Sequence, residues 1–187
     1  MEIEKEVRYA VSDEVWNNVL DGTEPYKDKV QMTDITCGAY GRESYQKTGK
    51  VFRVREKPSK TTLEIKSRTE DGNWLEEAVK LESVKQGLNF LHLAGLDPYL
   101  YIARSREVKK YKGLKVFFDD IELLGKYIEI EYQDSEDAEK ELDEFVSKFG
   151  IVGEPAPLYG TIINQRYDED EEFRITFEAK LKSFIEE

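Results

Sequence analysis

"MEIEKEVRY", residues 1–9, places Glu2, Glu4, Glu6 and Arg8 at every second position, with Ile3, Val7 and Tyr9 among the residues between them. Successive side chains of a β-strand leave from opposite faces. Read as a strand, the segment sends three carboxylates and a guanidinium to one side and apolar groups to the other, with Lys5 as the exception. The same division recurs downstream. "KVFRVRE" sets Phe52 and Val54 opposite Arg53 and Arg55, and "TTLEIKS" sets Leu63 and Ile65 opposite Glu64 and Lys66. "NWLEEAVKL" sets Leu75, Val79 and Leu81 opposite Trp74, Glu76 and Lys80, and "KYIEIEYQ" sets Ile128 and Ile130 opposite Glu129 and Glu131. Arg104 and Arg106 are spaced the same way. One polar strand face is what a solvated sheet with cross-strand ion pairs shows. Six such faces together read as a closed barrel. Its interior would be charged and would hold water, metal and ligand, and its apolar exterior would be covered by helices.

The bulk composition sets limits on function. The chain has 187 residues, of which 39% are hydrophobic and 36% charged, with a net charge of −12. That length suits one large domain or two small ones with a real core. Strong acidity argues against nucleic acid or an anionic membrane as partner. A small anionic substrate remains compatible, because a basic site can sit inside an acidic shell. Cys37 is the single cysteine, which excludes an internal disulfide and a thiolate metal cluster. His92, the single histidine, lies in apolar "LNFLHLAGL" and reads as a residue packed on a helix. A histidine triad and a zinc site are therefore poor readings. No apolar run approaches ~18 residues and the N-terminus is charged, so neither a signal peptide nor a membrane span is expected, and a cytoplasmic protein is.

Ser12 predicts the N-cap of a short helix through "DEVWNNVL". A strand is expected at "KVQMTDITC", a loop at "AYGRESYQKTGK", and a hairpin turn at "EDGN". A helix from Ser83 to about Ala94 ends at Gly95. "YLYIARSREVKKY" and "LKVFFDDIELL" read as two strands joined at Lys112-Gly113. "SEDAEKELDEFVSKFG" has the spacing of an amphipathic helix capped by Ser135. "EPAPLYG" is a linker or turn, and the tail from "DEDEEF" onward reads as one more helix. The expected fold is α+β: a closed eight-stranded antiparallel β-barrel, or tunnel, with a polar interior and flanking helices. A single domain is expected over 1–187, with the barrel over about 2–132 and a helical part over about 135–187.

In this order the landmarks resemble the CYTH superfamily, the triphosphate tunnel metalloenzymes. That family is named for class IV adenylate cyclases and thiamine triphosphatases. Its E-x-E-x-K strand is similar to "EKEVR", with Arg8 in place of lysine, and its L-R-x-R strand to "FRVR". Its lysine-ended strand looks like "LEIK", its basic strand like "RSREVK", and its aspartate-to-E-I-E stretch like "FFDDIELLGKYIEIE". The resemblance covers roughly residues 2–132. On the fifth strand Trp74 and Ala78 stand where the family has Arg and Glu, which puts one substrate contact and one carboxylate in doubt.

The resemblance implies a metal-dependent phosphohydrolase acting on inorganic triphosphate, thiamine triphosphate or a nucleoside triphosphate. The alternatives are an adenylate cyclase and a non-catalytic polyphosphate binder. Arg8, Arg53, Arg55, Lys66, Arg104 and Arg106 would bind the phosphate chain, with guanidinium donors matched to phosphate oxygens. Glu4, Glu6, Glu129 and Glu131 would hold Mg²⁺ or Mn²⁺, which take hard oxygen ligands. Glu4, Glu6 and Lys66 are the implied catalytic set. Glu2, Glu64, Glu76 and Asp119 would face the tunnel without an assigned role, Asp119 as a carboxylate that orients Arg or Lys. A small anionic substrate is the implied partner, and either a monomer or a homodimer is compatible.

Overall fold

The computed structural model describes residues 4–69 and 74–186, leaving aside the side chains of Glu4 and Trp74. Glu2, the side chain of Glu4 and the "EDGN" turn therefore lie outside the described residues. Eight strands form one antiparallel sheet: β1 (Glu4–Ala10), β2 (Glu24–Gly38), β3 (Lys50–Lys57), β4 (Lys60–Arg68), β5 (Trp74–Leu81), β6 (Asp97–Tyr111), β7 (Leu114–Ile121) and β8 (Gly125–Gln133). The helices are α1 (Asp13–Asp21), α2 (Ser44–Thr48), α3 (Val84–Leu93), α4 (Glu136–Lys148), α5 (Tyr159–Glu169) and α6 (Glu171–Glu186), with a 3₁₀ turn at Gly41–Glu43. The hydrogen-bonded strand order is β1-β8-β7-β6-β2-β3-β4-β5. Among the described residues β1 and β5 end that order, so the ladders do not close a barrel as the sequence led us to expect. β5 has the character of an edge, since residues 75–80 are exposed on both faces. None of the described helices is long and apolar enough to cross a membrane.

The chain gathers into two compact units, each discontinuous in sequence. The first comprises residues 1–31 and 104–158. Its core follows from the alternation in β1, β7 and β8: Tyr9, Val116, Phe118, Ile128 and Ile130 share the apolar face. α1 and α4 cover that face with Val19, Leu142 and Phe145. Trp16 meets Phe118 edge-on at 5.1 Å, and Tyr111 meets Phe145 at 5.2 Å. Each fully buried side chain of this size contributes roughly 1.5–3 kcal/mol. Ser12 caps α1 by accepting from the Val15 amide, and Ser135 caps α4 by accepting from that of Ala138, both at 3.3 Å.

The second unit comprises residues 32–103 and 159–187. Ile35, Val54 and Leu63 form its inner sheet face, and α3 lies close to it. A Cβ on Gly87 of α3 would come within 2.5 Å of Leu81 and 2.8 Å of Val54, so the absence of a side chain is what lets the helix approach. The stretch expected as a loop instead holds the 3₁₀ turn and α2. Ser44 Oγ accepts from the Tyr40 amide at 2.9 Å, and Gly49 closes α2 at φ 63°. The tail helix expected from Asp168 onward is α6, and a second helix, α5, precedes it. Asp170 interrupts them, its carboxylate accepting from the Phe173 amide at 2.9 Å as a cap for α6. Arg42 accompanies α5, with its guanidinium 4.0 Å from the centre of the Tyr167 ring and 2.8 Å from Asp168.

Candidate functional site

Two groups of ionised side chains stand out, one in each unit. In the first, Glu6 pairs with Glu131 and Arg8 with Glu129 across β1 and β8. Lys115 pairs with Glu131 across β7 and β8, and Arg106 with Asp119 across β6 and β7. Directly paired residues project to the same face with Cβ atoms about 4.5–5.5 Å apart. That face is opposite the apolar one, because Val7, Val116 and Ile130 occupy the alternate positions. Arg8 donates from Nε to Glu129 at 3.2 Å and from Nη2 to Glu6 at 3.3 Å. Arg106 donates to Asp119 Oδ1 at 2.6 Å and to Glu129 Oε1 at 3.0 Å. Arg104 Nε lies 3.8 Å from the same Asp119, which is wholly buried. Asp119 thus accepts from Arg106 and has Arg104 close by. Lys115, which the sequence reading did not single out, donates to Glu131. Its signal was present: Lys115, Phe117 and Asp119 share the phase of the charged face.

In the second unit Arg53 pairs with Glu64 across β3 and β4, and Arg55 with Asp34 across β2 and β3. Arg55 donates to both oxygens of Asp34, at 2.6 and 2.9 Å. Arg53 donates to Glu64 at 3.0 Å and reaches Asp34 at 3.5 Å. Lys66 Nζ is 2.7 Å from Glu76, whose other oxygen lies 4.0 Å from Arg53. Asp34, only 1% exposed, was also missed. It lies in the apolar run "KVQMTDITC", where a lone aspartate in the phase opposite Ile35 and Cys37 was the available clue.

Burial alone would push the Glu64 carboxyl up. The guanidiniums of Arg53 and Arg55, with hydrogen bonds from Arg53 and Thr62, outweigh burial and hold it below the ordinary value of 4.5. A group depressed in the folded state stabilises the protein above its unfolded pKa and loses that contribution as pH falls through the folded one. Stability is thus expected to fall off below about pH 4.5. Glu64→Gln should flatten that acid limb in denaturation series at pH 3–7, and an unaltered limb would show that Glu64 does not carry it.

Burial pushes the Cys37 thiol up to about 12, which leaves it protonated and inert near neutral pH. His92 is exposed rather than packed, and its Nδ1 lies 2.7 Å from Asp97 at the end of α3. Tyr159 is buried at the start of α5, and Arg166 stacks over Phe173 at 4.4 Å.

The chemistry of the donor set fits a divalent cation. Among the described residues no three of His, Cys, Asp and Glu are grouped to hold one. Mg²⁺, however, is often held by only one or two carboxylates, with water and substrate phosphate completing its shell. Glu6 and Glu131 meet that requirement, being hard oxygen donors opposite one another on a single face. All three described glutamates of this face already have basic partners: Glu129 has Arg8 and Arg106, Glu131 has Lys115, and Glu6 has Arg8.

The model of the CYTH domain family matches residues 2–157. The chain belongs to the CYTH domain family. No curated protein matches it. The CYTH fold recurs in solved structures. PH1012 from Pyrococcus horikoshii OT3 aligns at TM-score 0.68 and 16% identity, over 86% of this chain and 98% of its own. A provisionally assigned adenylate cyclase from Vibrio parahaemolyticus aligns at 0.64 and 16%, over 87% and 98%. HpAC1 from Hippeastrum, a provisionally assigned adenylyl cyclase with a dominant triphosphatase activity, aligns at 0.62 and 18%, over 87% and 94%. The CYTH match stops at residue 157, so α5 and α6 lie beyond it.

Proposed function

We propose that this CYTH domain is a metal-dependent phosphohydrolase that removes the terminal phosphate of inorganic triphosphate, thiamine triphosphate or a nucleoside triphosphate. One observation carries the reading. The β1–β8 ladder sets two carboxylates, Glu6 and Glu131, against each other beside the Arg8–Glu129 pair, so the residues we propose for metal and for phosphate share one strand face. Like charges directly opposite destabilise a sheet. Arg8 and Lys115 offset part of that repulsion, and a bound cation, here Mg²⁺ or Mn²⁺ with Glu4 of the same strand as a further ligand, would offset the rest. When bound, that ion neutralises phosphate charge and lowers the pKa of a bound water.

The chain's own residues do the rest. Arg8, Arg104 and Arg106 offer guanidinium donors to phosphate oxygens, and Glu129 and Asp119 hold those guanidiniums in place. In the second unit Arg53, Arg55 and Lys66 are proposed as phosphate contacts, kept in register by Asp34, Glu64 and Glu76. Lys66 and the first-strand glutamates are the catalytic set we propose. Positioning and charge neutralisation provide most of the acceleration in phosphoryl transfer.

Structural likeness to provisionally assigned adenylate cyclases favours one competing reading, attack of a ribose oxygen on the α-phosphorus. Purified protein with Mg²⁺ or Mn²⁺ and tripolyphosphate, thiamine triphosphate or ATP separates the two. Orthophosphate release that stops on chelation is the expected result. Pyrophosphate with a cyclic nucleotide would replace the reading by the cyclase, and binding without turnover would reduce the domain to a polyphosphate binder.

A further inference from the structure

β3 ends at Lys57 and β4 begins at Lys60, joined by Pro58-Ser59. The β3–β4 register pairs Lys57 directly with Lys60. Two ammonium groups opposite one another on one face work against the hairpin, as like charges in directly paired positions do. Lys57 also continues the row of Arg53 and Arg55, since residues at i, i+2 and i+4 of a strand share a face. It is half-buried, whereas Lys60 is exposed.

Its neighbours are already matched. Arg53 and Arg55 are engaged by Asp34 and Glu64, and Lys66 by Glu76. Lys57 has no hydrogen-bond or ion-pair partner among the described residues. Arg55 and Lys60 repel its charge, and Glu64 and Asp34 attract it without a hydrogen bond or ion pair. Burial and these like charges lower the pKa of the ammonium. A half-buried cation with no partner, opposed by a second lysine, breaks a local rule of strand pairing with no structural return. Such conflicts between levels of structure concentrate at functional positions.

We propose that Lys57 is a further contact for the anionic phosphate chain of the substrate, supplying the row of Arg53 and Arg55 with a cation that no carboxylate among the described residues holds. This rests on the triphosphate reading above and adds to it a residue outside the motif positions. An ammonium suits the role, because a compact point charge on a flexible stem can follow a phosphate oxygen that a guanidinium already fixes.

Tripolyphosphate binding, measured by calorimetry with chelator present so that no turnover occurs, tests the proposal. Lys57→Gln is expected to weaken binding about tenfold, the effect of about 1.4 kcal/mol, and to make it less salt-dependent, while Lys57→Arg retains most of the affinity. Thermal stability of Lys57→Gln should hold or rise, because a strained cation is removed. A structural lysine would give the opposite pattern, with lowered stability and unchanged affinity, and that outcome overturns the proposal. Wild-type protein that fails to bind tripolyphosphate would instead defeat the triphosphate reading. Binding by the wild type and equally by Lys57→Gln would defeat only the assignment of Lys57.

Discussion

Asp119→Ala is expected to destabilise the protein by about 3–5 kcal/mol, the usual effect of breaking a buried ion pair by removing one partner. Asp119 is 0% exposed. It receives Arg106 through two donors, Nε at 2.6 Å and Nη2 at 2.5 Å, and has Arg104 Nε at 3.8 Å. Removing the carboxylate leaves two guanidiniums in its place with one balancing charge fewer, while Glu129 still faces Arg106. A urea or guanidinium midpoint series on wild type and variant reads the loss directly. A change below about 1 kcal/mol, the range of solvent-exposed pairs, would mean that the arginines relax to solvent and that Asp119 does not organise them.

Glu131→Gln is expected to show the reverse signature. Its partner Lys115 is 37% exposed, so breaking that contact costs little, on the order of 0–1 kcal/mol. The amide also relieves repulsion against Glu6 across the ladder. Turnover, by contrast, should fall roughly 10³-fold: a bound metal supplies several kcal/mol of charge stabilisation in the transition state, and each 1.36 kcal/mol is a factor of ten. Initial rates of phosphate release at saturating Mg²⁺, with melting curves alongside, give both quantities. A variant that turns over at the wild-type rate would remove Glu131 from the metal site. The two substitutions therefore separate a carboxylate that builds the site from one that works in it.

The division of each strand into a charged and an apolar side was legible at once, in "EKEVR", "FRVR" and "YIEIE". Side-chain alternation is a property of the extended backbone and requires no knowledge of neighbours. Helix caps were legible for the same reason, since Ser12, Ser83 and Ser135 each act within three residues of themselves. The short helix at Ser44–Thr48 was not. Its N-cap, Glu43, makes no side-chain capping bond, and no amphipathic period announces a five-residue helix. Neither was α5, which lies just before the tail helix that the sequence announces.

The unread part of the site consists of partners. Arg53, Arg55, Arg104 and Arg106 could be picked out as cations on charged faces, and Asp119 as a carboxylate that orients such a cation, but Asp34 as the partner of Arg55 could not be chosen from the other acidic residues. Alternation along one strand says which way a side chain leaves the backbone. It does not say which residue of another strand stands opposite: Arg8 meets Glu129 across 121 positions of chain, and Arg55 meets Asp34 across 21. Facing direction is local geometry, and so the linear chain carries it. Charge pairing depends on the register of ladders between distant segments, and only the folded sheet sets that register.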